Sequence, residues 1–220
     1  MKRAFIPALR LRWLTPVFDP FMAFTFPDLR IKRDLVVSVM QPGAEMVLDF
    51  GCGTGTLALM IKGRYPRALV RGLDIDSRIL RRARRKAFKS GLTIPFDRYE
   101  GSSFPYAART FDSVVASFVF HHLSDKQKRI ALLEVKRVLR PGGSLFIADF
   151  DRSRNPFLRL VFAAVRLLDG RRNTRANAWG LIPKLTEEAG FKAVMEVTRW
   201  ATPLGEVSCL KAEKQSEDRG

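Results

Sequence analysis

The stretch Val47–Gly55, VLDFGCGTG, sets Gly51, Gly53 and Gly55 at alternate positions behind a short apolar run that carries a carboxylate, Asp49. Glycines in such a loop accept positive φ and let another group come close to the backbone. The residues after Gly55 have helical character, and a helix start offers free N–H groups. The stretch therefore reads as strand, turn and helix start, with a ligand facing the turn or nothing there at all.

Outward from this point the chain alternates. Short apolar runs at Met46–Phe50, Ala68–Asp74, Phe111–Ser117 and Leu145–Phe150 predict buried strands. Between them, Thr56–Arg64, Ser77–Lys89 and Ser124–Leu139 predict helices. Ser77–Lys89 places Ile79, Leu80, Ala83 and Ala87 on one face. Ser124 is an N-cap with Asp125 in the first turn, and the helix is expected to stop before Pro141-Gly142-Gly143. Upstream, Ile31–Met40 predicts one more helix, ended by Gln41-Pro42-Gly43. The alternation implies an α/β fold, a mostly parallel sheet with helices on both faces. After Asp151 the pattern changes: an amphipathic stretch Pro156–Asp169, a helix at Leu181–Ala189, then strands Ala193–Arg199 and Glu206–Lys211. Two strands joined without a helix are antiparallel neighbours.

The spacing of the glycine loop separates ligands. A dinucleotide turn has a Gly or Ala where this chain has Thr56, and a phosphate-binding P-loop ends in Gly-Lys-Ser/Thr, which is absent. The next strand ends in RGLDID, Arg71–Asp76. Asp74 closes its apolar run, where a carboxylate can accept from ribose hydroxyls. Asp76 suits a helix cap.

VLDFGCGTG, GLDID, FDSVVASFVFHHL and VLRPGGSLFIADF, in this order, resemble the successive motifs of class I S-adenosylmethionine-dependent methyltransferases, in particular the branch of quinone-biosynthesis and other small-molecule enzymes. The likeness runs over about Ile31–Lys211. It implies a Rossmann-like seven-stranded sheet with an antiparallel last strand, S-adenosylmethionine as methyl donor and S-adenosylhomocysteine as product. Carried onto this chain, Asp49 anchors the methionine end of the donor. Gly51, Cys52, Gly53 and Gly55 form the loop against it. Asp74 takes the ribose hydroxyls and Ile75 packs on the adenine. Ser102, with Ser103 beside it, stands where the family usually has an adenine-binding Asp. Ser117 and Phe118 line the cleft. Residues 1–33 are expected to form a helical extension over the acceptor, 34–212 the methyltransferase domain with a lid-like insertion at 151–178, and 213–220 a loose tail.

The acceptor is less legible. The segment after the fourth strand, SFVFHHL, lacks an Asp/Asn-Pro-Pro-aromatic run, an attacking cysteine and paired glutamates. Those absences speak against several base and arginine methylation chemistries. His121 and His122 are the only histidines, and their pKa range suits a general base; the resemblance favours His122. Cys52 and Cys209 form neither a disulfide framework nor a metal-ligand pattern, so no metal is expected and a reducing, cytoplasmic setting is the default. Lys and Arg number 39 against 22 Asp and Glu, a net charge of +17 that favours anionic partners. Together with the apolar, arginine-rich segments Met1–Arg33 and Asp151–Arg175, it points to a small or lipid-like acceptor and peripheral contact with an anionic membrane. RNA or protein substrates, and a non-catalytic donor-binding module, are the alternatives.

Overall fold

A computed structural model describes residues 27–41, 43–152, 154, 180–203 and 205–216. The predicted cover at 1–33 is described only from Pro27, and the predicted helix Pro156–Asp169 lies outside the described residues. The elements are α1 (Asp28–Val39), β1 (Met46–Phe50), α2 (Thr56–Arg64), β2 (Leu69–Asp74), α3 (Ser77–Lys89), β3 (Phe96–Arg98), β4 (Phe111–Ser117), a 3-10 turn at Phe120–His122, α4 (Asp125–Val138), β5 (Leu139–Asp151), α5 (Ile182–Glu188), β6 (Lys192–Thr202) and β7 (Gly205–Glu213).

The strands make a seven-stranded sheet in the order β3-β2-β1-β4-β5-β7-β6. β1 to β5 are parallel; β7 runs antiparallel to both β5 and β6. This is the Rossmann-like sheet with a reversed last strand expected from the motifs. The order turns back at β1, with β2 on one side and β4 on the other, so the carboxyl ends of β1, β2 and β4 bound a crevice.

Alternation along the strands divides the core. Val47, Val115, Phe146 and Ala148 face α1, α2 and α3; Leu48, Phe50, Val114, Ala116, Leu145 and Ile147 face α4 and α5. Period-2 geometry therefore puts Asp49 on the same face as Val47, toward α1 and α2. α4 has the expected Ser124 cap, strengthened into a capping box in which Ser124 and Gln127 bond each other's backbone N–H.

Two strands differ from their predicted bounds in an instructive way. α4 passes into β5 at Leu139 with no loop, so the Pro141-Gly142-Gly143 break lies inside the strand. The register with β4 jumps there, from Phe111 opposite Leu139 to Ser113 opposite Ser144. The extra residues form a bulge, with Gly142 at φ +76°. Gly142 N–H donates to Lys214 O and Lys214 N–H to Gly143 O, both at 2.9 Å, so the C-terminal segment keeps the bulge paired. β6 reaches Thr202, beyond the predicted Arg199. Arg199 holds this corner: its guanidinium bonds Asp151 at 2.6 Å, Glu196 at 2.6 Å and Glu206 at 2.9 Å, joining β5, β6 and β7.

Candidate functional site

The loop after β1 is shaped by what fills the space around each glycine. A Cβ on Gly51 would collide with the Val119 side chain; one on Gly55 would stand 2.7 Å from the Phe96 ring. Gly53 differs. Its φ is +53° and nothing lies within 4 Å of where its Cβ would be, so its backbone borders open space. The loop is clamped from below by Leu73 O, which accepts from Gly51 N at 2.7 Å and Cys52 N at 3.0 Å. The buried Cys52 thiol is pushed above its ordinary pKa by desolvation and by the nearby Asp49 and Asp74 carboxylates, so it packs as a neutral thiol.

Asp49 is 2% exposed and accepts one hydrogen bond, 3.1 Å from Ala58 N in α2. Burial lifts its pKa to about 7; Lys32 and the Ala58 N–H oppose the rise and Asp74 adds to it. Asp49, Gly53, Thr54, Ser117 and Phe118 line one cavity, together with Asp28 and Lys32 from α1. Lys32 Nζ is 2.6 Å from Asp28. Lys32 and Asp28 were not foreseen; their Asp-x-x-x-Lys spacing, one turn apart on a helix before β1, is the only trace they leave in the sequence. Ser117 Oγ is buried and is the one buried side-chain polar atom with no hydrogen-bond partner among the described residues. Phe118, next to it, takes φ +57°, a conformation that a bulky side chain adopts at a cost of about 1–3 kcal/mol.

Asp74 ties this cavity to a second. Its Oδ2 accepts from Gly53 N and its Oδ1 from Asp76 N, both at 2.9 Å. Ile75, 52% exposed, projects from the strand end into a cavity shared with Tyr99, Ser102, Phe104, Leu123 and Gln127. Ser102 thus reaches the cavity, four residues beyond the end of β3. Ser103 does not line either cavity; its hydroxyl donates to Glu134 at 3.3 Å. Asp76 caps α3 by accepting from Arg78 N.

The two cavities match the two ends of an adenosyl amino acid. One offers an apolar side chain and a serine to a flat base. The other offers a buried carboxylate, a lysine and an unsatisfied hydroxyl to a zwitterion. The residues present therefore fit S-adenosylmethionine.

The histidines sit past β4. His121 Nδ1 is 2.8 Å from Asp149 Oδ1, and the His121 N–H donates to Asp149 Oδ2 at 3.2 Å. Asp149 is 3% exposed and also accepts from Phe150 N at 2.7 Å. A carboxylate only accepts, so Nδ1 is the donor in this pair and Nε2 is left outside it. The His121 ring lies 6.4 Å from Phe118, which lines the first cavity, and 5.3 Å from Phe150. His122, whose ring is 3.9 Å from that of His121, is exposed as a residue; crowding of the ring by protein and the neighbouring His121 push its pKa down to about 4, against Asp149. The arrangement singles out His121 as the histidine oriented by a buried acid. Its signal in sequence is the carboxylate in FIADFD, at the end of the strand beside β4.

Residues 47–143 match the model of a methyltransferase domain family. The chain is 40% identical over 135 residues to the demethylmenaquinone methyltransferase of Thermus thermophilus, 61% of this chain and 60% of that protein. It is 36% identical over 131 residues to the ubiquinone/menaquinone biosynthesis C-methyltransferase UbiE of Syntrophotalea carbinolica, 60% of this chain and 54% of that one. These matches thus span between half and two thirds of each relative's length. The YcgJ protein of Bacillus subtilis shares the fold, with a TM-score of 0.69 at 18% identity over 84% of this chain and 98% of that one.

Proposed function

We propose, from the match of residues 47–143 to a methyltransferase domain family and the fit of the site to S-adenosylmethionine, that the chain methylates a ring carbon of a small, lipid-like hydroquinone. The relatives named for quinone biosynthesis support the acceptor class, and the His121–Asp149 pair supports the chemistry. S-adenosylmethionine supplies an electrophilic methyl on a sulfonium. Asp49 and Lys32 hold its ammonium and carboxylate, Ser117 Oγ finds its missing partner there, Asp74 takes the ribose, and Ile75 and Ser102 hold the adenine. An aromatic carbon attacks well only when the hydroxyl beside it loses its proton. His121 Nε2 takes that proton, and Asp149 stabilises the resulting imidazolium. The new carbon–carbon bond forms as the sulfonium–methyl bond breaks, giving S-adenosylhomocysteine. The ring hydrogen at the methylated carbon then leaves as a proton to solvent, restoring aromaticity as the phenolate, which takes back the proton held by His121.

The observation that carries this reading is His121 Nδ1 held 2.8 Å from a buried carboxylate beside the donor cavity. The test is transfer of labelled methyl to a short-tailed demethylmenaquinol. His121→Ala is expected to lower turnover by about 10²–10⁴-fold with donor binding retained. Asp149→Asn is expected to lower it through the wrong tautomer, and His122→Ala to change it less than either. Wild-type turnover in His121→Ala would remove the base from the mechanism.

A further inference from the structure

α3 reads SRILRRARRKAFK and contains no acidic residue. Leu80, Ala83 and Ala87 bury one face against the sheet. The opposite face repeats at spacings of three and four: Arg78, Arg81 and Arg82, Arg85, then Phe88 and Lys89, all exposed. Phe88 is 85% exposed and is the only Phe, Tyr or Trp so placed among the described residues. Among those residues, no acidic side chain pairs with Arg78, Arg81, Arg82, Arg85 or Lys89. Arg84, by contrast, is folded back onto Phe96 O, and Lys86 donates to Thr56 Oγ1 at 2.7 Å. The helix thus separates cations used inside the fold from a row left outside it, with a bare aromatic ring in that row.

We propose that this face of α3 docks the protein on an anionic membrane, Phe88 entering the headgroup boundary and the arginine row lying on the lipid phosphates. A row of unpaired cations calls for an anionic partner. A lone phenylalanine between them suits an interface that takes up apolar side chains without order. Single-stranded RNA is the poorer fit, because sequence-tolerant RNA binding stacks successive bases on several aromatics and this face has one. The inference deepens the lipid-like acceptor of the preceding section and rests on it for its purpose: α3 begins two residues past Ile75, so docking brings the donor-binding edge to the lipid surface where such an acceptor resides.

Flotation of the full chain with phosphatidylglycerol–phosphatidylcholine vesicles, against phosphatidylcholine alone, reads this directly. Flotation is expected only with the anionic vesicles and is lost at high salt. Each basic residue near an anionic surface strengthens binding about fivefold. Arg81→Gln with Arg85→Gln should therefore weaken it about 25-fold, and Phe88→Ala several-fold, with unchanged circular dichroism and melting temperature. Absence of flotation, equal flotation on both vesicles, or anionic flotation indifferent to both variants overturns the proposal. A single-stranded RNA bound by the wild-type chain and released by the arginine variant, with vesicles unbound, assigns the face to nucleic acid and overturns it as well. Methyl transfer to a water-soluble hydroquinone without vesicles tests the acceptor reading separately: wild type and variants should be equal there. Its failure would sink that reading while leaving the flotation result standing.

Discussion

Asp49, proposed above to hold the ammonium of the donor, has its pKa lifted by burial into the neutral range. Its folded pKa of about 7 lies above the ordinary carboxylate value, so between about pH 4 and 7 the folded chain holds a proton that the unfolded chain has released. Stability at this residue is fully present below that window and falls as pH rises through it. A bound ammonium group reverses the balance by favouring the carboxylate. Donor binding should therefore tighten as pH rises from 6 to 8, measured by titration calorimetry across that range. Asp49→Asn should flatten the dependence, stabilise the ligand-free chain at pH 8 and weaken donor binding by roughly 10–100-fold, the loss of one hydrogen bond to a charged group. Much at this scale was legible. Asp49 and Asp74 announce themselves as carboxylates at the ends of apolar runs. Lys32 and Asp149 do not, because their nearness to the site is made by α1 packing on the sheet and by β5 pairing with β4. Gly51 and Gly55 are legible as glycines, but their cause, the Val119 and Phe96 side chains, is tertiary.

At the scale of elements, α2 and α3 begin and end where the sequence places them, since a glycine at one start, an aspartate cap at the other and a clean apolar stripe on α3 leave little choice. β5 was legible only in its apolar half. Pro-Gly-Gly ends a helix in isolation, yet here it bulges within a strand because β4 on one side and Lys214 on the other supply partners. The Arg199 corner depends on such pairing too. Asp151, Glu196 and Glu206 converge on one guanidinium, and every member's side chain is 11–27% exposed. Arg199→Met removes the cation shared by Asp151, Glu196 and Glu206, leaves Arg154, 3.4 Å from Glu196, as the remaining one among the described residues, and should cost about 3 kcal/mol in urea unfolding at pH 7. The Arg199 bond holds the Glu196 carboxyl below its ordinary pKa. Its stabilisation is thus present above the normal carboxylate range and lost as pH falls through the depressed value, and the wild-type advantage over the variant should shrink in acid.

For the whole molecule, two apolar layers on a seven-stranded sheet hold the fold with both cysteines free. Among the described residues no helix is long and apolar enough to cross a membrane. A ligand that binds only the folded chain adds to this stability by mass action. S-adenosylhomocysteine at about 100 times its Kd should contribute about 2.7 kcal/mol, a rise of about 5–10 °C in melting midpoint for a chain of this size, read by thermal shift. Asp74 gives that gain a further source. One carboxylate fastens the backbone after β1, at Gly53, to the backbone after β2, at Asp76. The two loops are thus one ordered body before any ligand arrives. The conformational entropy of fixing them is spent when the chain folds, and the free energy of each contact made afterwards goes into holding the donor rather than into stilling the loops.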